Sequence, residues 1–372
     1  MTSISSKTQI AVLYILLILL SSSSTTSSLS TLTIRAADMS ALAIEDCAMT
    51  CSRFRSSSSS PPEDALVILS KFGFNTVRLR VWVNPTSDHN EGNLTYVIAL
   101  AKRASNANLS IWLDFHLSDW WADPGHQNKP MAWANFDFIT LKAAVANHIE
   151  TVLKAITAVS NVTIVQIGNE ISSGCLWPEQ GQECSDSGAQ YVDDCTNNWN
   201  SLGELIGVGI TITRNFAPSA TIAVHTDLGN RGIYAAKDAI NWYTSFINSL
   251  PMNIDFDAIA LSYYMQYNAS GPSEEGSIAE AIHAKFPTKD LLIAETSYPW
   301  NGKTAPGIYP ATKLGQLEFW IDTISNASVS DWLGVSWWGT EYAGNYGNIN
   351  SLFDENFIAL PALTQGWVSV LK

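Results

Sequence analysis

Eight times along this chain, a short apolar run is followed by a segment of helical periodicity. The strand-like runs cover residues 33–38, 75–83, 110–116, 163–170, 221–227, 256–264, 291–295 and 334–338. The helical segments cover residues 63–72, 96–106, 138–158, 199–215, 234–250, 278–286 and 312–325, with a short helix near Pro361. Apolar runs without polar alternation read as strands covered on both faces, the habit of parallel sheets. Regular strand–helix alternation predicts such a sheet wrapped by helices, and eight units predict its closure into a barrel. An open doubly wound sheet would show a glycine-rich turn after its first strand, and the sequence has none there. The expectation is a single-domain α/β fold, a (β/α)8 or TIM barrel, over residues 29–372.

The chain has 372 residues, 46% hydrophobic and 15% charged, which supports a large core and argues against disorder. Its formal net charge of -14 repels phosphate backbones, so no nucleic-acid partner is expected. Near the N-terminus, Lys7 precedes an apolar run at residues 10–20, followed by small residues from Ser21 to Ser28. This run is short for a bilayer span and has the size of a secretory signal core, so residues 1–28 read as a signal peptide. The mature chain is then expected to be extracellular, without a membrane segment, and monomeric. No Ala-x-Ala triplet marks the cleavage bond. Five glycosylation sequons, at Asn93, Asn108, Asn161, Asn268 and Asn326, agree with export. The cysteines are Cys47, Cys51, Cys175, Cys184 and Cys195. In an exported protein they predict disulfides, with one thiol left over and the pairing open. Zinc is the weaker reading, because no histidine lies near them and no Cys-x-x-Cys spacing occurs.

Polar residues gather where the strands end. In an eight-stranded barrel those ends build the active face. The fourth run closes on Asn169 and Glu170, and the seventh on Glu295. Arg80 and Trp82 end the second, Asp114 and His116 the third, His225 and Asp227 the fifth, and Tyr263 and Tyr264 the sixth. Trp337 and Trp338 end the eighth. Two glutamates on opposed strands of one mouth are what glycoside hydrolysis needs: a neutral carboxyl to protonate the leaving oxygen and a carboxylate to meet the oxocarbenium-like carbon. Glu170 is assigned as acid/base, with Asn169 beside it to hold a sugar hydroxyl. Glu295 is assigned as nucleophile, oriented by a tyrosine of the sixth strand and kept ionised by Arg80. Asp114, His116, His225 and Tyr264 are further candidates for substrate contact. Trp121, Trp177 and Trp337 are candidate sugar platforms, Trp337 foremost, and Trp120 is expected to pack. Arg78 shares strand parity with Arg80 and reads as a charge paired lower in the barrel or facing a helix.

The segment Val77-Arg78-Leu79-Arg80-Val81-Trp82-Val83-Asn84-Pro85 resembles the second strand of glycoside hydrolase family 53, the arabinogalactan endo-β-1,4-galactanases. Similar to the same family are Asp114-Phe115-His116 with Trp121-Ala122-Asp123-Pro124-Gly125, and Gly168-Asn169-Glu170-Ile171 with Leu176-Trp177-Pro178. Leu261-Ser262-Tyr263-Tyr264 and Glu295-Thr296-Ser297-Tyr298-Pro299-Trp300 also match. The resemblance implies a retaining endo-hydrolase of β-1,4-galactosyl bonds in the galactan side chains of pectin, with Glu170 as acid/base and Glu295 as nucleophile. Met265 stands where the family usually has proline, and Trp120 where it has threonine. Some members bind calcium in the loops after strands seven and eight. The loop at residues 301–310 has no carboxylate here, so neither metal nor cofactor is expected. Another barrel glycosidase, such as a xylanase or mannanase, is the alternative within enzymes. A carbohydrate-binding barrel without catalysis is the alternative outside them; both glutamates being intact argues against it.

Overall fold

The computed structural model describes residues 32–42, 53–86, 90–177, 199–267, 269–302, 304–343 and 350–371. Among the described residues eight strands and eight α-helices alternate: β1 (Ile34–Asp38), α1 (Ala65–Lys71), β2 (Thr76–Val81), α2 (Leu94–Asn106), β3 (Ser110–Phe115), α3 (Phe138–Thr157), β4 (Val162–Ile167) and α4 (Trp199–Phe216). Then come β5 (Thr221–Thr226), α5 (Ala235–Ser249), β6 (Ala258–Ser262), α6 (Pro272–Lys285), β7 (Asp290–Thr296), α7 (Lys313–Ser328), β8 (Trp332–Trp337) and α8 (Pro361–Val370). The strands run parallel in chain order and the sheet closes on itself. β8 returns to β1 in the register Ile34↔Gly334 to Ala37↔Trp337. A Cβ on Gly334 would lie 2.3 Å from Ile34 Cβ, so the closing seam requires glycine there. The signal-peptide reading, Cys47, Cys51, Cys184, Cys195 and the Asn268 sequon lie outside the described residues; Cys175 is buried. Among the described residues no helix is long and apolar enough to cross a membrane.

Alternation along each strand divides the core in two. On β2, Val77, Leu79 and Val81 face the helices and join the large outer core. That core takes the apolar stripe of α3 (Leu141, Val145, Ile149, Val152, Leu153, Ile156), which recurs at helical spacing. The opposite parity faces the barrel axis. There Ala36, Trp112, Ile164, Ala223, Ala258, Ala260, Leu292 and Ala294 form a separate small plug. Side chains directed inward above this plug can leave the apolar interior only at the carboxyl mouth. Arg78, Arg80, Asp114, Gln166, His225 and Ser262 share the inward parity of their strands and are all buried.

Candidate active site

The two glutamates reach the mouth by departures from regular strand geometry. On β7, Leu292 and Ala294 face inward, so strict alternation would turn Glu295 outward against the helices. The register between β6 and β7 instead shifts from Leu261↔Ile293 to Ser262↔Glu295, and between β7 and β8 it shifts across the same residues. This bulge re-aims Glu295 into the mouth. Glu170 follows β4 through Gly168 (φ 83°) and itself adopts φ 49°. A left-handed glutamate is uncommon, and here it aims the side chain at the site.

Both carboxyls line one cavity of about 300 Å³ at the carboxyl ends of the strands. Asp38, Arg78, Arg80, His116, Trp121, Tyr264 and Trp338 also line it. Glu295 Oε1 lies 2.9 Å from Arg78 Nη2, and its Oε2 accepts from the Tyr264 hydroxyl at 2.9 Å. Among the described residues Glu170 has no cation partner. Its Oε1 accepts from the Ser262 hydroxyl at 2.5 Å.

Arg78, not Arg80, is the cation that faces Glu295, which corrects the expectation from the sequence. The buried Arg78 guanidinium lies 2.9 Å from Asp38, Asp114 and Glu295 alike. It also donates to Asn169 Oδ1 at 2.8 Å and Gln166 Oε1 at 3.2 Å. Arg80 sits two residues further along the same face. Its guanidinium lies over the ring of Trp121 at 3.8 Å and that of Trp82 at 4.5 Å.

Burial pushes the Glu170 carboxyl well above the usual range, and the charge of Glu295 adds to that; the Ser262 hydroxyl works against it. Burial also raises Glu295, to about 7, with Arg78 pulling it down while Asp114 and Asp38 push it up. The two titrate as a pair. Of the two, only Glu295 touches a cation among the described residues, which favours placing the shared proton on Glu170.

A model of glycosyl hydrolase family 53 matches residues 34–365. The chain belongs to that family. An arabinogalactan endo-β-1,4-galactanase of Thermothelomyces thermophilus is 32% identical over 352 residues, 90% of this chain and 98% of that relative. One from Aspergillus niger is 30% identical over 331 residues, 86% of this chain and 88% of the relative. The family 53 catalytic domain of Ignisphaera aggregans superposes with a TM-score of 0.76 at 28% identity, covering 92% of this chain and 97% of that one. The catalytic core of a xylanase A, at 16% identity and a TM-score of 0.59, shares the fold alone.

In this family 53 barrel, Asp114 and His116 stand where the sequence places them. Asp114 accepts from Gln166 Nε2 at 2.7 Å. His116 Nδ1 accepts the Ala122 backbone N–H at 2.9 Å, so its proton sits on Nε2 and points at Asp114 Oδ2, 3.0 Å away. Burial lowers the His116 pKa, against the pull of Asp114. Asn169 lines the cavity, and its Nδ2 donates to Ala122 O at 2.8 Å.

Three residues expected to contact sugar are buried and do not line this cavity. His225 is fully buried beneath Glu170 rather than lining the cavity. Trp337 is fully buried too: its parity turns it toward α7, where it packs edge-on to Trp320 at 5.0 Å. Trp177 is 2% exposed and donates to Ser173 O. Trp120 packs as expected, parallel to Trp82 at 6.0 Å, yet keeps an exposed face. Trp338, one residue beyond Trp337, lines the cavity beside Trp121, with ring centroids 6.2 Å apart. Trp338→Ala is therefore expected to raise KM on long substrate about 2- to 10-fold with little change in folding. Trp337→Ala is expected to lower stability by about 3–5 kcal/mol. Paired steady-state kinetics and denaturant titration check both, and exchanged phenotypes would refute the parity.

Proposed function

We propose that this glycoside hydrolase is an exported, retaining endo-β-1,4-galactanase that cleaves β-1,4-galactan, including the galactan side chains of pectin. The observation that carries the reading is one cavity holding two carboxyls in opposed surroundings, Glu295 against a buried guanidinium and Glu170 against a hydroxyl. The printed activity of the relatives from Thermothelomyces thermophilus and Aspergillus niger supports the substrate. In the first step Glu170 gives its proton to the glycosidic oxygen as a Glu295 oxygen attacks the anomeric carbon. The C–O bond breaks and a galactosyl ester of Glu295 forms. In the second step the Glu170 carboxylate takes a proton from water, whose oxygen displaces Glu295 from the same carbon. Two displacements restore the starting configuration. Tyr264 and Arg78 hold Glu295 as an anion, and Trp121 and Trp338 offer flat apolar faces to the sugar rings. The N-terminal apolar run and the sequons support export.

The test is release of reducing ends from unbranched β-1,4-galactan, xylan and mannan side by side, with ¹H NMR of the first products. Release from galactan as mixed oligosaccharides with β-anomers formed first is the expected result. Preference for xylan or mannan, or α-anomers formed first, would refute the substrate or the mechanism respectively.

A further inference from the structure

Ser262 and His225 lie outside the displacement chemistry, yet they form a buried chain that ends on the acid. His225 Nε2 is 2.9 Å from Ser262 Oγ, and Ser262 Oγ is 2.5 Å from Glu170 Oε1. Both residues are fully buried. The direction of this chain follows from its far end. The Glu170 backbone N–H, which can only donate, points at His225 Nδ1 at 3.4 Å, and the Gln166 amide nitrogen lies 3.0 Å from the same atom. The competing acceptor, Asn169 Oδ1 at 2.9 Å, already takes N–H bonds from Arg78 and Gln166. Burial and then the charge of Arg78 hold the His225 ring neutral. Its single proton is therefore assigned to Nε2, from its partners. Ser262 Oγ accepts that proton's bond and has its own O–H left for Glu170.

We infer that Ser262, oriented by His225, is a positioning residue for the acid: it holds a hydrogen bond on Oε1 of Glu170 and so reserves Oε2 to carry the transferable proton. Among the described residues no hydrogen bond reaches Oε2. Oε1 is then never the protonated oxygen, and the charge left after transfer is met by a donor already in place. This rests on Glu170 being the acid. The groups that face Glu170 electrostatically are Glu295, Asp227 and Asp123 as like charges and Ser262 as donor. Ser262 is the one of these that favours ionisation.

The experiment is the pH profile of kcat/KM for Ser262→Ala on β-1,4-galactan, and on an aryl β-galactoside with a low-pKa phenol. The acid must be protonated to work, so the basic limb marks its loss of that proton. Removing the donor makes Glu170 hold the proton more tightly, and the basic limb moves to higher pH. Turnover on galactan falls about 10- to 100-fold, the worth of one hydrogen bond to a charge. Turnover on the aryl substrate, whose leaving group needs no proton, falls far less. An unmoved basic limb, or equal losses on both substrates, would overturn the inference. Should Ser262→Ala not fold, ¹⁵N NMR of histidine in the wild type decides: His225 protonated on Nε2 is expected, and protonation on Nδ1 would overturn it. Failure of the acid assignment itself looks different, because Glu170→Gln would then stay active on galactan.

Discussion

Glu170→Gln is expected to lower kcat/KM on β-1,4-galactan by about 10²- to 10⁴-fold, the usual worth of a positioned general acid. The amide keeps the shape and the Ser262 contact but has no proton acidic enough to give the leaving sugar oxygen. An aryl galactoside with a good leaving group is expected to lose much less in its first step and to accumulate the ester on Glu295 instead. That would show as a burst of phenol. The pH profile gives an independent sign. The wild type works in the form with Glu170 protonated and Glu295 ionised, so activity rises as Glu295 loses its proton and falls as Glu170 loses its own. Glu295 is raised to about 7, so the acid limb lies well above the ordinary carboxylate range. In Glu170→Gln the basic limb vanishes while the acid limb remains. Stopped-flow and steady-state rates across pH check this, and equal losses on both substrates would speak against Glu170 as proton donor.

Arg78→Met is expected to have two separable effects, both large. Arg78 is 1% exposed and stands between Asp38, Asp114 and Glu295. Removing it leaves buried carboxylates without their cation, which costs about 3–5 kcal/mol when one partner of a buried pair is lost. A lower denaturant midpoint with an unchanged slope measures that cost. The second effect is on activity. Arg78 favours the ionised form of Glu295, so without it Glu295 is protonated to higher pH and the acid limb of kcat/KM moves up. Arg80→Met is the control, since Arg80 rests on Trp82 and Trp121 rather than facing Glu295. It is expected to leave the acid limb in place and to weaken substrate binding through a loosened Trp121. An acid limb that moves in Arg80→Met and not in Arg78→Met would restore the assignment made from the sequence.

The barrel was legible because each strand announces itself. Runs such as Thr163-Ile164-Val165-Gln166-Ile167 are apolar on both faces, and each ends at a polar residue. The residue types at the mouth were legible for the same reason. What could not be read was which face a residue takes once alternation breaks. Glu295 depends on a bulge that shows only in the pairing with β6 and β8. Arg78 and Arg80 share a face, so parity could not decide between them; the contact of Arg78 with Glu295 does. At the end of β8, two adjacent tryptophans differ only in parity, and the inward one is Trp338. His225 had the right parity but is fully buried and does not line the cavity. The signal that would have given it a role is Ser262, one strand over and two residues beyond Ala260, the partner of His225 in the β5–β6 pairing.

Labelling by a slow substrate offers the most direct test of two carboxyls flanking one bond, one attacking and one protonating. A 2-deoxy-2-fluoro-β-galactobiosyl fluoride forms the glycosyl ester and stalls there, and peptide mass mapping locates it. The label is expected on Glu295 in the wild type and to be absent in Glu295→Gln. A label on Glu170 or on any other carboxylate would contradict the assignment of roles to these two residues.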